Sequence, residues 1–114
     1  MNQFIYLSSC DTCKRIIKEV NLTKNINLRD IKKNPLKPNE LESFKSITGT
    51  FRSLLNDRAQ KLRNIDKKTL SEEKIFSLLN EHYTYLKRPI LHFNGQLFIG
   101  NSKKNIEAIK NIFY

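Results

Sequence analysis

Two cysteines three residues apart are the residues of this chain with the clearest capacity for chemistry. Cys10 and Cys13 form a C-x-x-C pair, shortly after the apolar run of residues 4–7. A thiolate is the nucleophilic form of cysteine, and a second thiol nearby can displace a group bound to the first. The pair therefore predicts a redox-active dithiol, in which Cys10 reacts and Cys13 resolves the adduct.

The residues around the pair predict a strand, a tight loop and then a helix. Ile16, Ile17 and Val20 recur at helical spacing, so Cys10 should lie just before a helix over residues 11–21. Free backbone N–H groups and the positive end of the helix dipole meet at that place. There the pKa of a thiol can fall several units below its usual value of about 8.5. A negative Asp11 close to the sulfur would act in the opposite direction.

Metal binding is the main alternative for a C-x-x-C pair. Structural zinc needs about four ligands. The two histidines, His82 and His92, have no finger-like spacing to the cysteines. His82 lies on an apolar stripe and His92 within a strand-like run, so both are expected to be structural. We therefore expect no metal site.

Length and composition predict one soluble domain over residues 1–114. The net charge is +10, but the basic residues are scattered among Asn and Ser. A solvated surface explains this better than a dedicated basic face, and direct nucleic-acid binding is not expected. No apolar run approaches the roughly 20 residues of a membrane helix. The first three residues carry no basic stretch, so no secretion signal is expected and the cytoplasm is the expected compartment.

The chain up to about residue 83 divides into a predicted β-α-β segment, which contains the cysteine pair, and a predicted helical segment. Residues 3–8 and the alternating segment around Ile26 and Leu28 read as strands on either side of the first helix. The prolines at 35 and 38 mark a loop. Between about 39 and 83, apolar residues recur at helical spacing, with a capped start near residues 69–73.

The C-terminal part predicts a hairpin and a last helix. Asn94-Gly95 separates two apolar runs, which is the strongest short hairpin signal. Ser102 can cap a final helix with Ile106 and Ile109 on one side. The order is β-α-β and then β-β-α. It predicts an α/β, thioredoxin-like mixed four-stranded sheet with an all-helical insertion at about residues 39–83.

Four segments, in this order and at these separations, resemble the arsenate reductase (ArsC)/Spx family of thioredoxin-fold proteins with a helical insertion. They are Ser9-Cys10-Asp11-Thr12-Cys13-Lys14, Lys33-Asn34-Pro35 with Glu40-Leu41, Gly49-Thr50-Phe51-Arg52-Ser53-Leu54-Leu55 and Leu86-Lys87-Arg88-Pro89-Ile90-Leu91. The resemblance covers essentially the whole chain.

The resemblance implies roles for individual residues. Cys10 matches the nucleophile towards arsenate, while Arg52 and Arg88 match arginines that bind the oxyanion and stabilise the thiolate. Planar guanidinium groups suit this task, because they bind oxyanions bidentately. Pro89 matches the family's cis-proline beside the active-site loop, and Thr12 is given a structural role in that loop. Two further cations of the first helical turn could add positive potential, namely Lys14 and Arg15.

Three positions depart from the glutathione-linked arsenate reductases. Gly100 stands where they have a third arginine, and Tyr6 where they have a histidine. Cys13 stands where those enzymes usually have another residue. In this respect the chain resembles the Spx-type regulators, which have a cysteine there. The departures argue against glutathione-coupled arsenate reduction and suggest a Cys10–Cys13 disulfide as the oxidised state.

Two functions from different classes remain open. The first is a thiol–disulfide oxidoreductase acting on an oxyanion or a disulfide, with no bound cofactor. Its external reductant would be thioredoxin or glutathione/glutaredoxin. The second is a redox-sensing transcription regulator resembling Spx, which binds RNA polymerase through its α subunit. A family member with neither activity is a third reading.

Overall fold

The computed structural model describes residues 2–22 and 25–113 of the chain. Two compact units are present: residues up to Pro35 together with those from Arg88 onward, and the continuous segment Leu36–Lys87. The first is called the sheet unit and the second the helical unit. Their helices and strands follow in chain order: β1 (Gln3–Tyr6), α1 (Asp11–Glu19), β2 (Asn27–Asp30), α2 (Pro38–Thr48), α3 (Glu72–Glu81), β3 (Ile90–Phe93), β4 (Gln96–Ile99) and α4 (Lys103–Phe113).

The sheet unit contains one four-stranded mixed sheet with the strand order β2-β1-β3-β4. β1 runs parallel to β2 and antiparallel to β3, and β4 pairs antiparallel with β3. The predicted α/β sheet is therefore confirmed. Asn94 and Gly95 join β3 to β4 with φ of 49° and 80°, the positive values that this hairpin turn requires.

The core of the sheet unit lies between one face of the sheet and helices α1 and α4. The strands contribute Phe4 and Leu91. Helix α1 contributes Ile16, and the C-cap of this helix contributes Val20. The remaining buried members of this cluster are Ile26, Ile106 and Ile109. The apolar side of α1 packs against the sheet. A short turn joins the end of β1 at Tyr6 to the start of α1 at Asp11. This packing holds the C-x-x-C pair at one edge of the sheet.

Some boundaries differ from the sequence prediction. β1 ends at Tyr6 because residues 7–10 form a turn, and α1 ends at Glu19 shortly before Asn21, whose φ is 54°. In β2, Leu28 is 50% exposed whereas Arg29 is only 8% exposed. The Arg29 guanidinium donates to the carbonyl oxygens of Asn34 at 2.9 Å and Pro35 at 2.7 Å, which explains how a charged residue tolerates burial.

In the helical unit, two α-helices flank a series of short 3₁₀ turns. Ser71 caps α3 by accepting a hydrogen bond from the Lys74 N–H at 3.1 Å. The basic stretch between the helices has few buried side chains and forms only short turns. The turns span Arg52–Leu54, Gln60–Leu62 and Lys67–Thr69, and a fourth follows α3 at Tyr83–Tyr85. No helix in the described part of the chain is long and apolar enough to cross a membrane.

Candidate active site

Cys10 occupies the N-cap position of α1, as the sequence predicts. Its φ of −94° and ψ of 111° are extended, and its carbonyl oxygen accepts the Lys14 N–H at 3.2 Å. The turn before it is closed by a hydrogen bond from the Cys10 N–H to the Leu7 carbonyl oxygen at 3.0 Å. Cys10 is partly exposed and is not in a disulfide. The residue at the start of the helix is therefore partly open to solvent.

Cys13 lies in the first turn of α1 and is fully buried, at 0% exposure. Burial raises the pKa of the Cys13 thiol to about 11, and the hydrogen bond that it donates to Cys10 raises it further, against opposing effects of the Leu7 backbone and Arg88. Cys13 is therefore a neutral thiol at neutral pH.

The opposite holds for Cys10. Burial alone would raise the pKa of Cys10, but several favourable contacts lower it below its usual value. They are the hydrogen bonds from the backbone and thiol of Cys13, the positive charge of Arg88 and the Thr12 backbone N–H. A thiolate is thus favoured at the partly exposed sulfur and a thiol at the buried one. The predicted difference in role between the two cysteines has this physical basis.

Arg88 and Pro89 lie in the sheet unit with the cysteine pair. Arg88 is the only arginine among the groups that shift the pKa values of Cys10 and Cys13, within the part of the chain that is described. The Arg88–Pro89 peptide bond is cis, as the resemblance implies. Gly100 donates its N–H to the Pro89 carbonyl oxygen at 2.8 Å and accepts the side-chain amide of Asn105 at 2.7 Å.

The other charged residues of the first helical turns face solvent. Asp11, Lys14 and Arg15 are exposed, and none of them is among the groups that shift the pKa of Cys10. The opposing effect that Asp11 would have if it lay close to the sulfur is not among the main contributions to the pKa of Cys10. The electrostatic role of Lys14 and Arg15 stays a prediction.

Arg52 lies in the helical unit and is engaged there. Its guanidinium donates to the carbonyl oxygens of Lys67 at 2.9 Å and Leu70 at 2.6 Å. The Glu72 carboxylate accepts the backbone N–H groups of Phe51 at 2.7 Å and Arg52 at 3.1 Å. These contacts give Arg52 a structural task within its unit, and its predicted role at the thiolate stays a prediction.

The histidines have local structural contacts. His82 accepts the Thr84 N–H on Nδ1 at 3.0 Å, and His92 pairs with Gln3 across β3 and β1. Burial lowers the pKa of His92, which favours its neutral form. Over residues 2–22 and 25–113, no group of three or more His, Cys, Asp or Glu side chains could hold a metal ion.

Sequence reasoning missed Asp30, the last residue of β2. Its Oδ1 accepts the Ser8 N–H at 3.2 Å and the Lys32 N–H at 3.1 Å. Ser8 belongs to the turn that leads into Cys10. Parallel strands end at the same edge of a sheet, so an acidic residue at the end of β2 was the available signal.

Comparison with known proteins gives a consistent result. The sequence profile of the ArsC family matches residues 6–109. An uncharacterized protein from Haemophilus influenzae is 32% identical over 107 residues, covering 90% of this chain and 92% of that protein.

Solved structures support the same fold. A protein called YFFB superposes with a TM-score of 0.75 at 21% identity and covers 96% of this chain and 98% of that one. An arsenate reductase from Vibrio cholerae superposes with a TM-score of 0.70 at 18% identity and covers 97% and 98% of the two chains. The chain therefore has the thioredoxin-like fold of these proteins.

Proposed function

Because the chain belongs to the ArsC family, we propose that it is a thiol–disulfide oxidoreductase that cycles between a Cys10/Cys13 dithiol and a Cys10–Cys13 disulfide. The observation that carries the proposal is the placement of a partly exposed Cys10 at the N-cap of α1, in the same helical turn as a fully buried Cys13. The pKa of Cys10 is lowered by donors from Cys13, whereas burial raises that of Cys13 to about 11. The proposed nucleophile, Cys10, is partly exposed, and the proposed resolving thiol, Cys13, is buried in the first turn of the same helix.

With a disulfide substrate, the Cys10 thiolate attacks one substrate sulfur and forms a mixed disulfide. The first substrate thiolate leaves and takes a proton from solvent. Cys13 then loses its proton to solvent, its thiolate attacks the Cys10 sulfur, and the second departing sulfur takes a proton from solvent. The substrate gains two electrons and is released as two thiols, while the protein keeps a Cys10–Cys13 disulfide.

With arsenate, the same residues accomplish an equivalent two-electron step. The Cys10 sulfur bonds to arsenic as one arsenate hydroxyl takes a proton from solvent and leaves as water. Cys13 then loses its proton to solvent and its sulfur attacks the Cys10 sulfur. The sulfur–arsenic bond breaks, its electron pair stays on arsenic, and arsenite is released after taking up protons from solvent. Arg88 supplies a positive charge at the thiolate. Arg52 is the second guanidinium that the resemblance assigns to the oxyanion.

An external dithiol restores the reduced protein in either case. We propose thioredoxin or glutathione with glutaredoxin in this role, and no bound cofactor. The reducing cytoplasm is the compartment where such a cycle can be renewed.

The test is reduction of arsenate and of a small organic disulfide, each assayed once with thioredoxin and thioredoxin reductase and once with glutathione and glutaredoxin. We expect turnover by the wild type with at least one pair. Cys10→Ser should abolish turnover. Cys13→Ser should stop after one step and accumulate a Cys10 adduct of the expected mass. Turnover by Cys10→Ser, or full turnover by Cys13→Ser, would contradict the proposed roles.

The same assay separates the enzyme from the Spx-type alternative. A regulator would use the disulfide as a signal and would bind the isolated RNA polymerase α subunit in one redox state only. Lack of turnover with all four combinations, together with redox-dependent binding to that subunit, would replace the enzyme by the regulator.

A further inference from the structure

A turn of four residues carries Cys10, and its second residue, Ser8, contacts the neighbouring strand. Ser8 is the second residue of the turn that the Cys10 N–H closes on the Leu7 carbonyl oxygen. The Ser8 N–H points away from the turn and donates to Asp30 Oδ1 at 3.2 Å. Asp30 lies opposite Tyr6 in the parallel pairing of β1 and β2.

We infer that Asp30 is a positioning residue for the nucleophilic sulfur, because its carboxylate fixes the turn that carries Cys10. The inference rests on the proposed function in one respect only: it takes Cys10 to be the reacting sulfur. Asp30 makes no contact with the substrate in this scheme and acts through Ser8.

One oxygen of the Asp30 carboxylate, Oδ1, is held by two backbone N–H groups. The Ser8 hydroxyl, the Lys32 and Ser8 backbone N–H groups and the nearby charge of Lys33 together lower the pKa of Asp30 against the effect of burial. The group is therefore ionised at neutral pH, and hydrogen bonds from N–H donors to an ionised carboxylate are stronger than neutral ones. In addition, the Ile31 N–H donates to the Tyr6 carbonyl oxygen at 2.9 Å, which fixes the end of β2 against the end of β1.

The position of the turn matters because the Cys10 thiolate depends on directional contacts. The donors that lower the pKa of Cys10 are the backbone and thiol of Cys13 and the backbone of Thr12, helped by the charge of Arg88. These donors belong to α1, so they bind the sulfur only if the turn delivers Cys10 to its N-cap geometry. Asp30 is not among the main contributions to the pKa of Cys10. We therefore expect its influence on that pKa to come from geometry more than from its charge.

Matched variants separate an effect of the Asp30 hydrogen bond from an effect of the Asp30 charge. Asp30→Asn removes the charge but keeps an Oδ1 acceptor for the Ser8 N–H, whereas Asp30→Ala removes the acceptor. Ser8→Ala removes only the hydroxyl. Ser8→Pro removes the N–H together with the hydroxyl, so Ser8→Ala is its matched control, and proline suits the second position of such a turn because φ there is about −60°. The φ of Ser8 is not among the positive values found in the structure.

The measurement is the pH profile of Cys10 alkylation by iodoacetamide in the full chain, with the modified sulfur identified by mass spectrometry. We expect Asp30→Ala and Ser8→Pro to raise the midpoint by about one pKa unit as the helix donors are lost. Asp30→Asn keeps a weaker, neutral acceptor and should raise the midpoint less than Asp30→Ala, and Ser8→Ala should keep the midpoint of the wild type. Circular dichroism establishes that each variant is folded, and Ser8→Pro decides the matter if Asp30→Ala does not fold.

Two results would overturn the inference. One is an unchanged midpoint in folded Asp30→Ala or folded Ser8→Pro, even if the melting temperature falls, because Asp30 would then be merely structural. The other is an equal rise in Asp30→Asn, which would make the charge responsible. Alkylation requires no substrate, so a raised midpoint in variants of a chain that reduces neither arsenate nor disulfides would uphold the role of Asp30 and reject the proposed function.

Discussion

The buried thiol of Cys13 donates a hydrogen bond to the sulfur of Cys10, and each residue shifts the pKa of the other in the opposite direction. The same bond that favours the Cys10 thiolate keeps the proton on Cys13. A C-x-x-C pair at the start of a helix thus divides its chemistry between an ionised and a protonated sulfur.

Replacing Cys13 should therefore change the ionisation of Cys10. In Cys13→Ala the side-chain donor is lost, so the pKa of Cys10 should rise by roughly half a unit to one unit. In Cys13→Ser a hydroxyl donor remains and the rise should be smaller. The pH profile of iodoacetamide alkylation measures both. Equal profiles for the wild type and Cys13→Ala would show that the thiol does not stabilise Cys10.

Arg88 should act on Cys10 through its charge. Since its positive charge lowers the pKa of Cys10, Arg88→Ala should raise the alkylation midpoint and slow alkylation at neutral pH. Arg88→Lys should keep most of the effect. The matched controls are Lys14→Ala and Arg15→Ala, which remove exposed cations of α1. A rise in these controls as large as in Arg88→Ala would assign the effect to net charge.

The resolving step should accelerate with pH. The pKa of Cys13 is about 11 in the dithiol form, partly because Cys10 raises it through its charge and hydrogen bond. Once Cys10 is bound to substrate, those two contributions disappear, while burial remains. We expect disulfide closure to gain about tenfold in rate per pH unit above neutrality and to level off below pH 11. Rapid acid quenching of the Cys10 adduct with mass spectrometry measures this rate, and a flat profile would contradict it.

Arg52 should contribute to the stability of the helical unit. Arg52→Ala leaves the carbonyl oxygens of Lys67 and Leu70 without their guanidinium donors. The free energy of unfolding should fall by roughly 1–3 kcal/mol. Arg52→Lys should recover only part of it, because an ammonium group lacks the planar fork. Urea unfolding measures the loss, and Arg58→Ala, an exposed neighbour in the chain, is the control.

The predicted role of Arg52 at the thiolate needs a separate readout. Alkylation of Cys10 in folded Arg52→Lys and Arg52→Ala reports it directly. A raised midpoint in Arg52→Ala that Arg52→Lys restores would support that role. Reduced stability with an unchanged midpoint would limit Arg52 to the helical unit.

The fold was largely predictable because its signals are local. Alternating and helical spacing placed β1 and α1, Asn94-Gly95 marked the hairpin, and Ser102 marked the start of α4. The basic stretch between α2 and α3 was less predictable, since 3₁₀ turns there depend on distant contacts such as those of Arg52 and Glu72. Such side-chain-to-backbone bonds leave no periodic trace in a sequence.

The site was predictable at its sulfur atoms and less so around them. The spacing of Cys10 and Cys13 indicated the pair, and the resemblance indicated Arg88 and Pro89. Asp30 escaped notice because its relation to Ser8 spans 22 positions and arises only when β1 and β2 pair in parallel. The effect of burial on Cys13 likewise depends on how α1 packs, which spacing alone does not give.

Because Cys10 is partly exposed and Cys13 is buried, an electrophile from solvent reacts first with Cys10. Cys13, at 0% exposure, stays silent to bulky labels while the fold is intact. Thiol labelling of the folded protein in living cells would therefore report on Cys10. A label found on Cys13 would show that α1 had locally unfolded.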